Sequence, residues 1–312
     1  MTPIALALSL ALHATPASKP AQASPAPAKN MPTPSTAKPS TEDLAASTRA
    51  WHEQRLLRLQ AEDGWLTLVG LFWLDEGEQT AGSGPDNALD FPANMPAKLG
   101  TFTRKGSSVS LQPAPGVTLT RNGEPFTGGE LKTDEGGKPD MLKLGSVTFH
   151  VIKRGDKLGV RVKDPEAPAR KNFHGIPTYP ASAKWRIDAR FEPAETPRML
   201  QVPNVLGTTE EMKAPGTLVF TVDGKEHRLT PVEDGSGQLF IIFADQTNQD
   251  ATYGAGRFVY ADMPKDGRVV LDFNRAYNPP CAFTRFATCP LPPRGNRLAL
   301  RVEAGEKRTG DH

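Results

Sequence analysis

The chain has 312 residues, and its 37 Lys and Arg nearly balance 35 Asp and Glu, leaving a formal net charge of +2. That balance excludes a surface built to track nucleic-acid phosphates, which needs a clear basic excess. With 30 Pro and 28 Gly an all-helical fold is disfavoured, and two Cys are too few for a disulfide-stapled miniprotein.

Ile4 to Leu12 is an apolar run, IALALSLAL, shorter than the roughly 20 residues that a bilayer span requires. Small residues follow, and Ala21-Gln22-Ala23 fits the cleavage pattern of a secretory signal, so residues 1–23 are expected to be a signal peptide. Residues 24–40 are rich in Pro, Ala, Ser, Thr and Lys, with too little apolar surface to offset ordering, and are expected to form a disordered linker. No later stretch reaches membrane length. A periplasmic or secreted protein without a membrane span is therefore expected.

Ser40-Thr41-Glu42-Asp43 reads as a helix start, and Glu42 to Gln60 holds neither Gly nor Pro. One amphipathic helix is expected there, with Trp51, Leu56 and Leu59 sharing a face and Gly64 stopping it. Leu66–Leu74 (LTLVGLFWL) then reads as a buried strand. Val147–Lys153 and Leu158–Val162 flank a turn and read as a hairpin. Thr217–Val222 and Lys225–Leu229 flank Asp223-Gly224, a pair that supplies the positive φ of a type I′ turn. Leu239–Phe243, Arg257–Tyr260, Arg268–Phe273 and Arg297–Val302 read as further strands. The Pro-rich stretch Pro193 to Pro215 reads as strand-poor. The expected fold is mainly β: two β-sandwich or barrel-like units, preceded by one amphipathic helix and a disordered N-terminal segment. The helix and first unit would occupy 41–192, and the second unit 193–312.

Within the first unit, Gly82-Ser83, Asn87 to Asp90, Ser108 to Leu111, Arg121-Asn122-Gly123, Leu131, Leu144-Gly145 and Phe149 to Ile152 follow one another in an order similar to a forkhead-associated domain, a small β-sandwich. The resemblance spans roughly residues 75 to 153 and implies the fold. Ser83 stands where that family has its phosphate-contacting Arg, and no Ser-x-x-His lies between Phe91 and Gly106, so phosphothreonine binding is not expected.

Common catalytic signatures are absent from the sequence. There is no G-x-S-x-G, no Walker A, and no G-x-G-x-x-G opening a helix. His52-Glu53 begins like a zinc-protease motif, but position 56 is Leu. No metal and no cofactor are expected. Of the histidines, His174 stands out in the polar loop Lys171-Asn172-Phe173-His174-Gly175, which follows Arg161 and Asp164. Cys281 and Cys289 are spaced C-x7-C between prolines. A disulfide closing that loop is expected, contributing roughly 2.5 kcal/mol in the loop-entropy model, because two thiols alone make an incomplete structural zinc site.

The C-terminal third gathers polar groups around Gly loops: Asp245, Thr247, Tyr253 and Arg257, then Asp272, Asn274, Tyr277 and Asn278. Alternation puts Arg257 and Val259 on one strand face and Phe258 and Tyr260 on the other. An Arg and a carboxylate on adjoining strands pair either structurally or as an anion anchor.

The run Leu271-Asp272-Phe273-Asn274-Arg275-Ala276-Tyr277-Asn278-Pro279-Pro280-Cys281, with Ala287-Thr288-Cys289-Pro290-Leu291-Pro292-Pro293, Asn296-Arg297-Leu298 and Ala304-Gly305-Glu306-Lys307, resembles the bacterial family called domain of unknown function 1684. Upstream, Gly64-Trp65-Leu66, Arg161-Val162-Lys163-Asp164, Phe173-His174-Gly175 and Gly256-Arg257-Phe258 extend the resemblance, from about Trp51 to Lys307. It implies a folded unit with its site at these polar residues and assigns no activity.

Three functional readings follow. The first is a pocket for a small polar or anionic molecule, lined by Arg161, His174, Tyr253, Arg257, Asn274, Tyr277 and Asn278. The second is a hydrolase or lyase in which Asp164, Asp245 or Glu306 is the acid or base and Arg257 anchors an anion. In the third, a structural envelope protein, these groups only hold loops together.

Overall fold

A computed structural model of the protein describes residues 40–309. The expected signal peptide, and the linker up to residue 39, lie outside the described residues. Helix α1 (Thr41–Gln60) starts where the sequence placed it: the Ser40 side chain accepts the Asp43 N–H at 3.1 Å, and Glu42 and Asp43 sit in the first turn. Such a cap satisfies an otherwise orphaned donor, and carboxylates favour the positive end of the helix. Leu44 and Leu59 are buried, and so is Arg55.

The first sandwich packs two sheets on one apolar core. Its strands are β1 (Leu68–Trp73), β2 (Gly77–Gly82), β3 (Leu89–Asp90), β4 (Gly100–Lys105), β5 (Ser108–Pro113) and β6 (Leu119–Arg121). They continue with β7 (Glu124–Phe126), β8 (Gly129–Leu131), β9 (Leu142–Leu144), β10 (Val147–Arg154) and β11 (Lys157–Lys163). One sheet runs β1-β11-β10-β9-β6-β7 and the other β3-β2-β4-β5-β8. Phe91, Phe102, Leu111, Phe149, Val151 and Val162 fill the space between them. Alternation leaves His150, Arg154, Arg161 and Lys163 on the face of β10 and β11 turned away from that core.

The second sandwich uses β12 (Arg186–Pro203), β13 (Thr209–Val222), β14 (Lys225–Leu229), β15 (Val232–Glu233), β16 (Leu239–Phe243), β17 (Arg257–Ala261) and β18 (Arg268–Asp272). A sheet ordered β14-β13-β12-β18 packs on one ordered β15-β16-β17, with Leu218, Phe220, Ile241, Phe243, Val259 and Leu271 between them. At the β13–β14 turn Asp223 has φ 51° and Gly224 φ 76°, as a type I′ turn requires. The opposite face of β16 and β17, carrying Phe240, Ile242 and Phe258, builds a further cluster with Val202, Ala287 and Cys289.

Two strand expectations are corrected. The stretch from Pro193 to Pro215 is not strand-poor: β12 and β13 run through it as a long antiparallel pair, with Pro193, Pro197 and Pro215 at a register shift between Pro193 and Arg198 and Pro203 at the far end of the ladder. A division of the chain at 193 would cut β12. Arg297–Val302 is not a strand either. Arg297 makes only an isolated parallel bridge to Ala244; Leu298 N and Leu300 O still meet the backbone of Ala244 and Gln246, but at Val302 the chain bonds to the buried Arg257 and Asp245 side chains instead of to a ladder.

Candidate functional site

Asp245 follows β16 and caps a short 3-10 turn. Its Oδ1 accepts from Thr247 N at 2.8 Å, Thr247 Oγ1 at 2.6 Å and Val302 N at 3.1 Å. Arg257, the first residue of β17, donates from Nη2 to Asp245 Oδ2 at 2.7 Å and to Val302 O at 2.9 Å, and from Nη1 to Ala304 O. Both side chains are fully buried. The guanidinium is thus occupied by one carboxylate and by main-chain carbonyls, and it straps residues 302–304 to the sheet.

Glu306 forms an adjoining network. Gly305, at φ 74°, turns the chain so that Glu306 N reaches Ala276 O at 2.8 Å. The Glu306 carboxylate accepts from Asn278 N at 2.7 Å and from Arg55 Nε at 3.3 Å, with His52 Nδ1 at 4.0 Å. Arg55 also donates to Asn278 O at 2.8 Å and lies 4.7 Å from the centre of the Tyr277 ring. Burial pushes the Glu306 carboxyl above the usual carboxylate range, against the pull of Arg55. The side chains of Glu306 and Asp245 have no exposed surface, so neither reaches a reacting group in this arrangement.

Five of the expected site residues, Asp245, Arg257, Tyr277, Asn278 and Glu306, therefore do come together, but Asp245 is paired with Arg257 and Glu306 with Asn278, and the Tyr277 ring lies under Arg55. The rest stand apart. Asp164 accepts from Asn94 Nδ2 at 2.8 Å and Glu166 N at 2.9 Å, and so fixes the turn after β11. Asn274 ties down Ser182 through both of its amide atoms. The Tyr253 hydroxyl donates to Cys281 O at 3.1 Å. His174 borders an open cavity of about 400 Å³ with Asn172, Phe173 and Phe283. Cys281 and Cys289 stand at disulfide distance, their Cα atoms 6.2 Å apart.

Arg161 differs from all of these. It lies opposite His150 in the β10–β11 register, only 6% exposed. Its Nη2 donates to Thr288 Oγ1 at 3.3 Å, and the guanidinium lies 5.5 Å from the centre of the Trp65 ring. Arg154 Nε donates to the same Thr288 hydroxyl at 3.3 Å, while its Nη1 binds Asp134 at 2.9 Å. Among the described residues no carboxylate lies within 4.0 Å of Arg161, and its buried Nε and His150 Nδ1 make no hydrogen bond. Desolvation, and then the neighbouring Arg154, push Arg161 down to about 10, so it remains a cation at neutral pH. Burial, reinforced by Arg161, lowers His150 to about 4 and keeps it neutral. Such a site holds a fixed positive charge, a partly exposed second Arg, and a hydroxyl between them. Sequence reasoning singled out Arg161 but missed Arg55, Arg154 and Thr288.

The sequence model of the family described as "Protein of unknown function (DUF1684)" matches residues 171–307. The chain belongs to this family. Among solved structures, the solution NMR structure of an uncharacterized protein from Haloarcula marismortui is 32% identical, with 46% of this chain and 81% of that chain covered and a TM-score of 0.39. No curated protein matches. The DUF1684 match begins at Lys171, so the blocks further upstream lie outside it. The DUF1684 match thus holds Thr288, both cysteines, the Arg257 network and Glu306 with Asn278, whereas Arg55, Arg154 and Arg161 precede it. The basic face and the DUF1684 loop meet only in the folded chain.

Proposed function

We propose that this protein is exported and binds a small oxyanion, a carboxylate or a phosphate, between the outer face of β10 and β11 and the loop that carries Thr288. One observation carries the reading. Of the three buried arginines among the described residues, Arg55 is paired with Glu306 and Arg257 with Asp245, and Arg161 alone has no carboxylate. A buried unpaired cation costs free energy that a bound anion returns. Paired NH groups of Arg suit the flat or tetrahedral oxygens of such ligands. Export is supported by the signal-like residues 1–23 and by the disulfide-distance cysteines. The Arg257 that sequence reasoning offered as anion anchor is assigned a structural role in this reading, because its charge is paired with Asp245 and both of its Nη groups are bound.

Thermal unfolding of wild type and Arg161→Met, with and without phosphate, sulfate or succinate, tests the proposal. Wild type should gain several degrees with at least one anion. Arg161→Met should gain nothing, yet without anion it should melt above wild type, because an unbranched apolar chain replaces a desolvated charge. If the variant melts lower and responds to anions as wild type does, Arg161 is a structural strut, as in the envelope-protein reading.

A further inference from the structure

The wall facing Arg161 is a ring. Residues 281–289 are closed by the cysteine pair, and Thr288, which binds both guanidinium groups, directly precedes Cys289. Beyond Cys289 the chain is well anchored: Val205 N donates to Cys289 O at 3.0 Å and Leu291 N to Pro203 O at 2.7 Å. Inside the ring, residues 282–284 are buried and bonded to Pro279 and Pro280, but beyond them the anchoring is sparse. Between Arg285 and Thr288 the only backbone hydrogen bond among the described residues runs from Phe286 N to Thr284 Oγ1, at 3.2 Å, and Ala287 is the one buried side chain apart from the site itself. Thr288 is therefore held by Cys289 on one side, while on the other side closure of the ring limits how far the loop can move.

We propose that the Cys281–Cys289 pair is a redox switch on the anion site, an inference that rests on the anion-binding reading above. Cys281 is partly exposed and Cys289 is buried, so a dithiol reductant reaches the Cys281 sulfur first. Its thiolate forms a mixed disulfide with Cys281 as the Cys281–Cys289 bond breaks. Cys289 leaves as a thiolate, to which the Cys281 N–H, 3.1 Å from that sulfur, is already directed, and then takes a proton. The reductant's second thiol displaces Cys281, which is protonated in turn, and the reductant departs as its own disulfide. Two electrons and two protons have moved from the dithiol to the cysteines. The opened loop carries the Thr288 hydroxyl away from Arg154 and Arg161; its O–H, which donates to the anion while its oxygen accepts from the two guanidinium groups, is lost to the site, and the anion is held less tightly.

The test is a calorimetric titration of the full chain with inorganic phosphate and with succinate, before and after reduction by dithiothreitol, with circular dichroism reporting the fold. Reduction should weaken binding at least about tenfold, the loss expected when a charge-assisted contact goes. Thr288→Val, with its cysteines still paired, should show a comparable loss without any reductant, which keeps the idea testable even if the reduced chain unfolds. Equal affinity in both redox states, or unchanged affinity in Thr288→Val, overturns the switch and leaves the anion site standing. No binding of either anion to the oxidised chain removes the switch and the anion site together.

Discussion

Arg55, Arg161 and Arg257 are all buried, but their surroundings divide them into two kinds. Arg55 and Arg257 each face a carboxylate, and breaking such a buried pair from one side typically costs about 3–5 kcal/mol. Arg161 faces a hydroxyl, an indole ring and a second Arg. His150, directly across the strand pair, adds a pH signature. Its neighbours in the field are Arg161, Asp134, Lys163 and Arg154, and desolvation, reinforced by Arg161, holds it neutral down to about pH 4. An unfolded chain protonates this His near its ordinary value of 6.5, so between those two values the unfolded state binds the extra proton. Stability should therefore fall as pH drops through that window, by up to about 3 kcal/mol. Urea unfolding at pH 7 and pH 4.5 measures it. His150→Gln should lose distinctly less stability than wild type on acidification, and an identical loss in both would show that His150 contributes none of it.

Two elements hold the C-terminal polar segment in place. Helix α1 reaches it through Arg55, which meets Glu306 across 251 residues of sequence. The chain from Tyr277 to Thr288 reaches it through Asn278, and reaches the first sandwich through Thr284 and Thr288. A double-mutant cycle of Arg55→Met and Glu306→Gln measures the first link. Arg55→Met alone should destabilise by about 3 kcal/mol by leaving a buried carboxylate unpaired, and adding Glu306→Gln should recover part of that loss. Additive effects in urea unfolding would mean that the pair is not coupled. At this level much was legible in sequence. The Ser40 cap, the Gly- and Pro-free run after it and the Asp223-Gly224 turn are local signals, and each marks its element. Arg297–Val302 misled because apolar alternation looks the same whether a backbone bonds to a strand or to Arg257 and Asp245. The prolines of 193–215 misled because a register shift between paired strands accommodates three of them and the fourth, Pro203, sits at the end of the ladder.

Over the whole molecule, the net charge of +2 conceals an uneven local arrangement in which His150, Arg154, Arg161 and Lys163 share one outer face of a hairpin. That face was recoverable from sequence: once Gly155-Asp156 is taken as the turn, period-two alternation aligns all four. Thr288 was not recoverable, since it lies 127 residues from Arg161 and no local pattern records a contact at that separation. The polar cluster around Arg257 was legible as a cluster, but only the folded chain shows that both Arg257 Nη groups and the carboxylates of Asp245 and Glu306 are engaged within it. Whether Arg161 is spent in the same way can be read at its own nitrogen. In ¹⁵N spectra of the arginine side chains, titration with phosphate or succinate should move the Arg161 Nε–H resonance along a saturable curve, while that of Arg257 stays fixed. An Arg161 resonance that remains still at anion concentrations that shift only exposed arginines would contradict an anion site between the two sandwiches.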